Sequence, residues 1–123
     1  MACYLEHTAF PVRDINWHII FFRDVLEMPV REIAGDPNHP EQIWLCGGIQ
    51  LKSVPDFNVS EESFVHLGIM TDDLEETLKR VHEYGVAELP RDKSWVRLPD
   101  GLEIEFMQAK NGAVEKILRI NPR

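Results

Sequence analysis

The sequence predicts an α+β fold made of two paired βαβββ modules, and an internal repeat is the main reason. His7 is followed seven positions later by Asp14 and an isoleucine. His66 is followed seven positions later by Asp73 and a leucine, so the pattern recurs 59 positions along the chain. In each half a strand-like run carries the histidine and an amphipathic helix follows the aspartate. Short strands and turns fill the rest of each half.

The length decides how the two halves combine. A chain of 123 residues suits one domain, but a half of roughly 55–60 residues is too short to close a sheet alone. We therefore expect a single domain, with module one at about 4–54, module two at about 63–108 and a tail at 109–123. Paired modules of this kind can curl two small sheets around one concave space, with the helices outside.

The acidic balance of the chain limits its partners. There are 13 Lys and Arg against 21 Asp and Glu, a formal net charge of −8. Nucleic-acid binding needs clustered basic residues and is not expected, whereas a bound metal or a cationic ligand is compatible with the charge. The longest apolar run covers only residues 19–22, and no signal peptide is recognisable. We expect a cytoplasmic protein with no membrane partner, in which Cys3 and Cys46 are reduced thiols.

Module one begins with a predicted strand at 4–10, which Pro11 should end because proline cannot donate to a sheet ladder. A helix should start after Asp14, a good N-cap, and Pro29 prevents it from extending further. Its buried stripe is predicted at helical spacing, at Ile15, Ile19, Phe22 and Leu26.

Three strands should complete module one, joined by two recognisable turns. The segment GDPNHP at 35–40 has turn chemistry, and Gly47-Gly48 predicts a tight hairpin. The strands are expected at 30–34, 42–46 and 49–54.

Module two repeats this plan. A strand at 63–70 alternates, so that Val65, Leu67 and Ile69 form an apolar face opposite His66. A helix should span about 72–84, ended by Gly85 as a C-cap, with a buried stripe of Leu74, Leu78 and Val81. The remaining strands are expected at 86–89, 94–98 and 102–107, with a hairpin turn at 99–101 and a short helix at 113–120.

Strand alternation also brings chemistry-bearing side chains to one face. If the helices cover the apolar face of each sheet, the opposite face carries His7, Gln50, His66 and Glu105. Two imidazoles, a carboxylate and an amide oxygen suit a divalent metal ion, with water in the open positions. Glu103 shares the face of Glu105 and is interpreted as a rim charge.

At this point the motifs resemble the vicinal oxygen chelate superfamily, which includes glyoxalase I, extradiol dioxygenases and fosfomycin and bleomycin resistance proteins. The run HTAFPVRDINWHIIFFRDVLEM resembles the opening of such a protein, and LPDGLEIEF resembles its D-P-D-G-x-x-I-E-L ending. The resemblance covers about residues 4–108. Three positions depart from the pattern: Glu27 stands where the family usually has glycine, Leu98 replaces an aspartate, and Gln50 replaces the commoner glutamate.

The resemblance implies a metal-binding cup whose ligands come from the first and last strands of each module. Those positions here are His7, Gln50, His66 and Glu105, with zinc, nickel, cobalt, manganese or iron(II) as the ion. The implied function is a metal-dependent lyase, isomerase or epimerase that chelates a small oxygen-rich substrate and stabilises an enediolate. Glu105 or a metal-bound hydroxide would be the catalytic base. Gln50 is either a ligand or the partner of a ligand water.

Two other functions stay open on the same residues. His7, His66 and Glu105 also resemble the facial triad of a non-haem iron(II) extradiol dioxygenase. A third possibility is a non-catalytic resistance protein that sequesters a cationic antibiotic in an acidic cleft. The resemblance further implies a homodimer, with the cup either within one chain or shared, so that His7 and Gln50 of one chain meet the other two ligands of its partner.

Overall fold

The computed structural model describes residues 6–58 and 66–123, which form two compact units. The first unit extends to Phe57 and also includes Leu118–Arg123, and the second runs from Asn58 to Ile117. Each unit contains one four-stranded mixed sheet. Two such sheets with a few helices are the α+β, twice-repeated βαβββ arrangement that the sequence predicts. The predicted strand residues 4–5 and 63–65 lie outside the described part of the chain.

The first sheet has the strand order β1-β4-β3-β2. Strand β1 pairs with β4 in parallel, and the other neighbours are antiparallel. Helix α1 packs against β3 and β4. The bounds are β1 Thr8–Val12, α1 Ile15–Ile19 followed by a π-helical turn Ile20–Val25, β2 Val30–Asp36, β3 His39–Leu45 and β4 Ile49–Ser53.

The second sheet repeats this topology, with the order β5-β8-β7-β6 and a parallel β5–β8 pair. Helix α2 packs against β8. The bounds are β5 His66–Thr71, α2 Leu74–Tyr84, β6 Ala87–Glu88, β7 Trp95–Arg97, β8 Glu103–Gln108 and α3 Ala113–Leu118.

Several local signals act as the sequence predicts. Asp14 caps α1 by accepting from Trp17 N at 3.1 Å, and Asp73 caps α2 by accepting from Glu76 N at 3.0 Å. Gly85 ends α2 in the left-handed conformation, with φ 92°. The apolar face of the second sheet is buried, including Val96, Ile104 and Phe106.

Strand β1 corrects the prediction that Pro11 ends the first strand. The strand continues through Pro11 to Val12, and Pro11 pairs in register with Lys52 of β4. Proline fits because β1 is the terminal strand in the order of this sheet, where its missing N–H need not face a neighbour in the sheet.

The predicted loop at 35–40 is also shorter in the structure. Gly35 and Asp36 belong to β2, and His39 and Pro40 belong to β3, so only Pro37-Asn38 turn the chain. Asp36 Oδ1 accepts from Asn38 N at 2.9 Å, and this contact replaces a ladder bond at the tip of the hairpin.

The first helix differs from a regular α-helix, and the difference changes which residues are buried. From Ile20 the backbone continues as a π-helical turn, with Leu26 N donating to Phe21 O at 3.1 Å. Leu26, predicted on the buried stripe, follows this wider turn and is only half-buried, whereas Phe21, which is not predicted on the stripe, is fully buried. His18 of the same helix is also buried, and its Nδ1 donates to Asp14 O at 2.7 Å.

No helix among residues 6–58 and 66–123 is long and apolar enough to span a bilayer.

Candidate functional site

The first half of the predicted metal site lies on one face of the first sheet. Ala9 of β1 is in register with Gln50 of β4, and residues in register share a face. His7 is two positions before Ala9 and so extends the same row. Strand pairing therefore puts Gln50 on the face of Ala9, and His7, the other predicted ligand of this half, lies just before β1 begins at Thr8.

Gln50 is almost fully buried although its face is polar, with 7 % of its surface exposed. Its Nε2 donates to Oε1 of Gln42, a diagonal neighbour on β3. This bond fixes the plane of the Gln50 amide and uses only its Nε2. The Oε1 atom of Gln50, which would bind a metal ion or a ligand water, is at the other end of the amide. Burial and this bond together orient the Gln50 side chain.

His7 is held by its neighbour in sequence. Its Nδ1 donates to Oε2 of Glu6, and this hydrogen bond is the main cause that lowers the pKa of the Glu6 carboxyl below its usual range. Arg123, 2.7 Å from the other carboxylate oxygen, lowers that pKa further. A histidine that donates through Nδ1 presents Nε2 as the lone pair for a metal ion.

The second half of the predicted site lies on the polar face of the second sheet. His66 Nε2 and Glu105 Oε2 are 3.6 Å apart, and both side chains are partly exposed. Glu105 is in register with Gly68 on one side and with Trp95 on the other. The His66 and Trp95 rings also contact, with centroids 4.7 Å apart. The indole therefore limits where the imidazole can turn, and a β-carbon at Gly68 would lie only 2.9 Å from the Met107 methyl group.

The two glutamates on this face have different partners. Glu103 accepts from Arg97 Nη2 at 3.0 Å, which fits its interpretation as a rim charge. Glu105 instead faces His66. Of the two, Glu105 is the carboxylate placed to join a histidine in binding an ion.

The ligand geometry can be compared with what a metal ion requires. Two donors each ~2.1 Å from one ion, at tetrahedral or octahedral angles, are about 3.0–3.4 Å apart. The 3.6 Å between His66 and Glu105 is close to this spacing. Within the described residues no group of three His, Cys, Asp or Glu side chains lies together. In the second unit, His66 and Glu105 form a pair of donors whose spacing fits a borderline or hard divalent ion.

Other residues of the first unit that could bind a ligand have no comparable arrangement. Lys52 is exposed at the end of the Gln50 face, and Cys46 is a buried thiol. His39 is exposed and lines a cavity of about 490 Å³ in the first unit, together with Arg13, Asp14 and Glu41. Neither His7 nor Gln50 lines that cavity.

A cluster around Trp44 was missed by the sequence reasoning. Trp44 is in register with Gln50, and the Arg123 guanidinium carbon lies 4.4 Å from its ring centroid. Arg123 also pairs with Glu6 and Glu32. Because Glu32 and Arg123 are 91 positions apart, no local pattern in the sequence connects them.

Comparisons with known proteins bear on the fold. No profile of a known protein family matches the sequence, and no curated protein matches it. Among solved structures, glyoxalase I of Leishmania major, described as trypanothione-dependent, is 22 % identical, with a TM-score of 0.71 over 94 % of this chain and 92 % of that one.

Two further solved structures are similar at comparable coverage. The fosfomycin resistance protein FosX of Listeria monocytogenes is 16 % identical, with a TM-score of 0.65 over 94 % of this chain and 98 % of that one. TnmS3, an antibiotic-binding protein of Streptomyces sp. CB03234, is 18 % identical, with a TM-score of 0.61 over 89 % and 98 %. The chain therefore has the fold of the vicinal oxygen chelate superfamily, as its motifs predict. These similar structures include an enzyme, a resistance protein and a binding protein, so the fold alone leaves the function open.

Proposed function

We propose that this chain is a metal-dependent enzyme, a lyase, isomerase or epimerase that chelates a small oxygen-rich substrate on a divalent ion. The observation that carries the proposal is the facing pair His66 and Glu105, 3.6 Å apart on the polar face of the second sheet. His7 and Gln50 are the corresponding predicted ligands of module one, and Gln50 is in register with Ala9, two positions after His7. A pair of donors repeated at matching strands is a stronger indication of an ion site than a single histidine.

Each proposed ligand has a side chain that orients it. Glu6 accepts from Nδ1 of His7, so that His7 would bind through Nε2. Gln42 accepts from the Gln50 amide, which would offer Oε1 as a ligand or as the partner of a ligand water. Such supporting contacts are typical of metal centres, because they fix the ligand before the ion arrives.

The chemistry follows from Glu105. When bound, the ion would supply Lewis-acid stabilisation of negative charge on the substrate oxygens. Glu105 would take a proton from the carbon beside the substrate carbonyl and return it at another position, which is the work of a general base and acid. Trp95, in register with Glu105, would exclude water from one side of this carboxylate.

The four ligands come as two pairs, one from each unit of the fold. The pairs could belong to one chain or to two chains of a homodimer, and both arrangements use the same residues. Metal analysis of the purified protein tests the ligand set in both arrangements.

Metal analysis of freshly purified protein tests the proposal, with two glutamates as a matched pair. We expect about one divalent ion per site, lost in Glu105→Gln and in His66→Ala. Glu103→Gln removes the same charge from the same face, two positions along β8, and should retain the ion. Mutation of a side chain that only supports a ligand typically lowers metal affinity by about 10–100-fold, so removal of a ligand should cost at least this much, which titration calorimetry measures.

Two results would overturn the proposal. One is a protein that contains no metal and gains no thermal stability when zinc, nickel, cobalt or manganese is added. The other is iron as the native ion together with oxygen uptake on a panel of catechols, which would identify an extradiol dioxygenase instead.

A further inference from the structure

The polar face of the first sheet holds a second arrangement, which contains none of the four proposed metal ligands. The Arg123 guanidinium lies over the Trp44 ring, with its central carbon 4.4 Å from the ring centroid. Its Nε is 2.7 Å from Glu6 Oε1, and its Nη1 pairs with Glu32 Oε2. We call the three residues around the guanidinium, Trp44, Glu6 and Glu32, the Trp44 slot.

The walls of the Trp44 slot are built by strand pairing. Glu32 of β2 is in register with Trp44 of β3, so the carboxylate and the indole share a face. Between Val30 and Glu32 the register shifts, which leaves Arg31 as the extra residue of a β-bulge. Glu6 comes from the segment just before β1. Three separate stretches of the first unit therefore meet around one guanidinium.

The guanidinium itself is delivered by a segment outside the strands. Arg31 Nη2 donates to the carbonyls of Leu118 and Ile120, at 3.0 and 3.1 Å. Asn121 Oδ1 accepts from Arg123 N at 3.1 Å, and this turn presents the arginine side chain. Contacts of this kind near the surface are each worth only ~0–1 kcal/mol, so a competing cation can replace the side chain without unfolding the sheet.

The shape of the slot selects a planar cation. A guanidinium can lie flat on an indole while its N–H groups donate in plane to carboxylates on two sides. An ammonium is a compact, strongly hydrated charge and cannot make both contacts in this geometry. We propose that the Trp44 slot is a binding site for small molecules that carry a guanidinium group, and that Arg123 is its intramolecular occupant.

This site can be tested apart from the proposed metal centre, although Glu6 belongs to the slot and also accepts from Nδ1 of His7. It uses none of the four proposed ligands, and its binding can be measured in protein treated with a chelator. Failure of the metal proposal would therefore leave this result unchanged, and the reverse also holds.

Removing the occupant tests the site, with methylguanidinium as the probe. The readout is the indole N–H resonance of Trp44 in a ¹⁵N correlation spectrum of the chelator-treated chain, assigned with Trp44→Phe. We expect the probe to bind Arg123→Ala about tenfold more tightly than the wild type, because a tethered occupant competes at an effective concentration in the millimolar range. Methylammonium at the same ionic strength should shift this resonance far less.

Two matched variants locate the binding. In the Arg123→Ala background, Glu32→Gln should lower the affinity for methylguanidinium by about fivefold. Glu41→Gln makes an equal charge change at an exposed position of β3 and should leave the affinity for methylguanidinium unchanged. Arg123→Lys keeps the positive charge but loses the planar guanidinium group. This variant should therefore also bind methylguanidinium more tightly than the wild type does.

The idea fails if Arg123→Ala and the wild type bind the probe equally well. It fails also if methylammonium binds as tightly as methylguanidinium. A third contradicting result is that Glu32→Gln and Glu41→Gln change the affinity for methylguanidinium by the same factor. A response confined to Trp95, whose ring lies 4.9 Å from the Arg91 guanidinium carbon, would place the binding in the second unit and overturn the assignment.

Discussion

At the scale of single residues, Glu27 has a backbone conformation that normally belongs to glycine. Its φ is 55°, the one positive value for a non-glycine residue within 6–58 and 66–123. The position follows the π-helical turn and precedes β2, where the chain has to reverse direction. Side chains other than glycine are disfavoured there because the β-carbon crowds the following carbonyl oxygen. The superfamily pattern has glycine at this point, so the sequence signal and the observed φ agree.

Glu27→Gly should raise the free energy of unfolding by about 1 kcal/mol, because glycine adopts positive φ without this crowding. Glu83→Gly makes the same change near the end of α2, where the backbone is helical, and should lower stability instead. Urea denaturation of the two variants and the wild type measures both effects. A Glu27→Gly variant less stable than the wild type would contradict the strain argument.

At the scale of elements, the turn between β3 and β4 positions the start of β1. Gly47 and Gly48 both have positive φ, 95° and 84°, as the predicted hairpin requires. Gly48 has a further role, since its carbonyl accepts from Thr8 N at 2.7 Å. A β-carbon at Gly48 would lie 2.8 Å from the backbone oxygen of Glu6, whereas one at Gly47 would meet only a methionine methyl at 3.5 Å. The hairpin glycine therefore also lets the backbone of His7 approach.

Gly48→Ala should be more destabilising than Gly47→Ala, although both place alanine at positive φ. The conformational penalty shared by the two is ~1–2 kcal/mol, and the clash with the Glu6 backbone adds to it only at position 48. Because the clash moves the start of β1, Gly48→Ala should also weaken metal binding through His7. Urea denaturation and metal titration check the two parts, and equal stabilities for the two variants would show that the close approach has no energetic effect.

At the scale of the whole molecule, the proposed ligands divide between the two compact units. His7 and Gln50 belong to the first unit, and His66 and Glu105 belong to the second. Under the proposed function, a complete ligand set needs one pair of each kind. The chain can supply both pairs itself, or two chains of a homodimer can each supply one.

A mixing experiment distinguishes these arrangements. His7→Ala removes one ligand of the first pair, and His66→Ala removes one ligand of the second pair. Neither variant alone should therefore bind metal tightly. If the pairs come from two chains, dissociating and reassociating an equal mixture should restore about a quarter of the wild-type sites, because half of the dimers are mixed and each contains one intact set. If both pairs come from one chain, the mixture should restore none. Metal content per chain after gel filtration gives the answer.

The sequence by itself determined the features that local chemistry controls. Strand alternation assigned His66 and Glu105 to the polar face of their strands. Aspartate N-caps marked the start of both main helices, and glycines marked the β3–β4 turn and the end of α2. These follow from residues a few positions apart, and the repeat then gave the fold class because both modules obey the same rules.

Only the tertiary structure decided the features that depend on contacts distant in sequence. Pro11 stays in a strand because β1 is terminal in the order of its sheet. Leu26 is not in the core because a π-helical turn before it shifts the helix face. The Trp44 slot needs a strand register, a bulge at Arg31 and an arginine from the far end of the chain. No local propensity specifies these contacts, since they form only once the strands and the 118–123 segment have packed together.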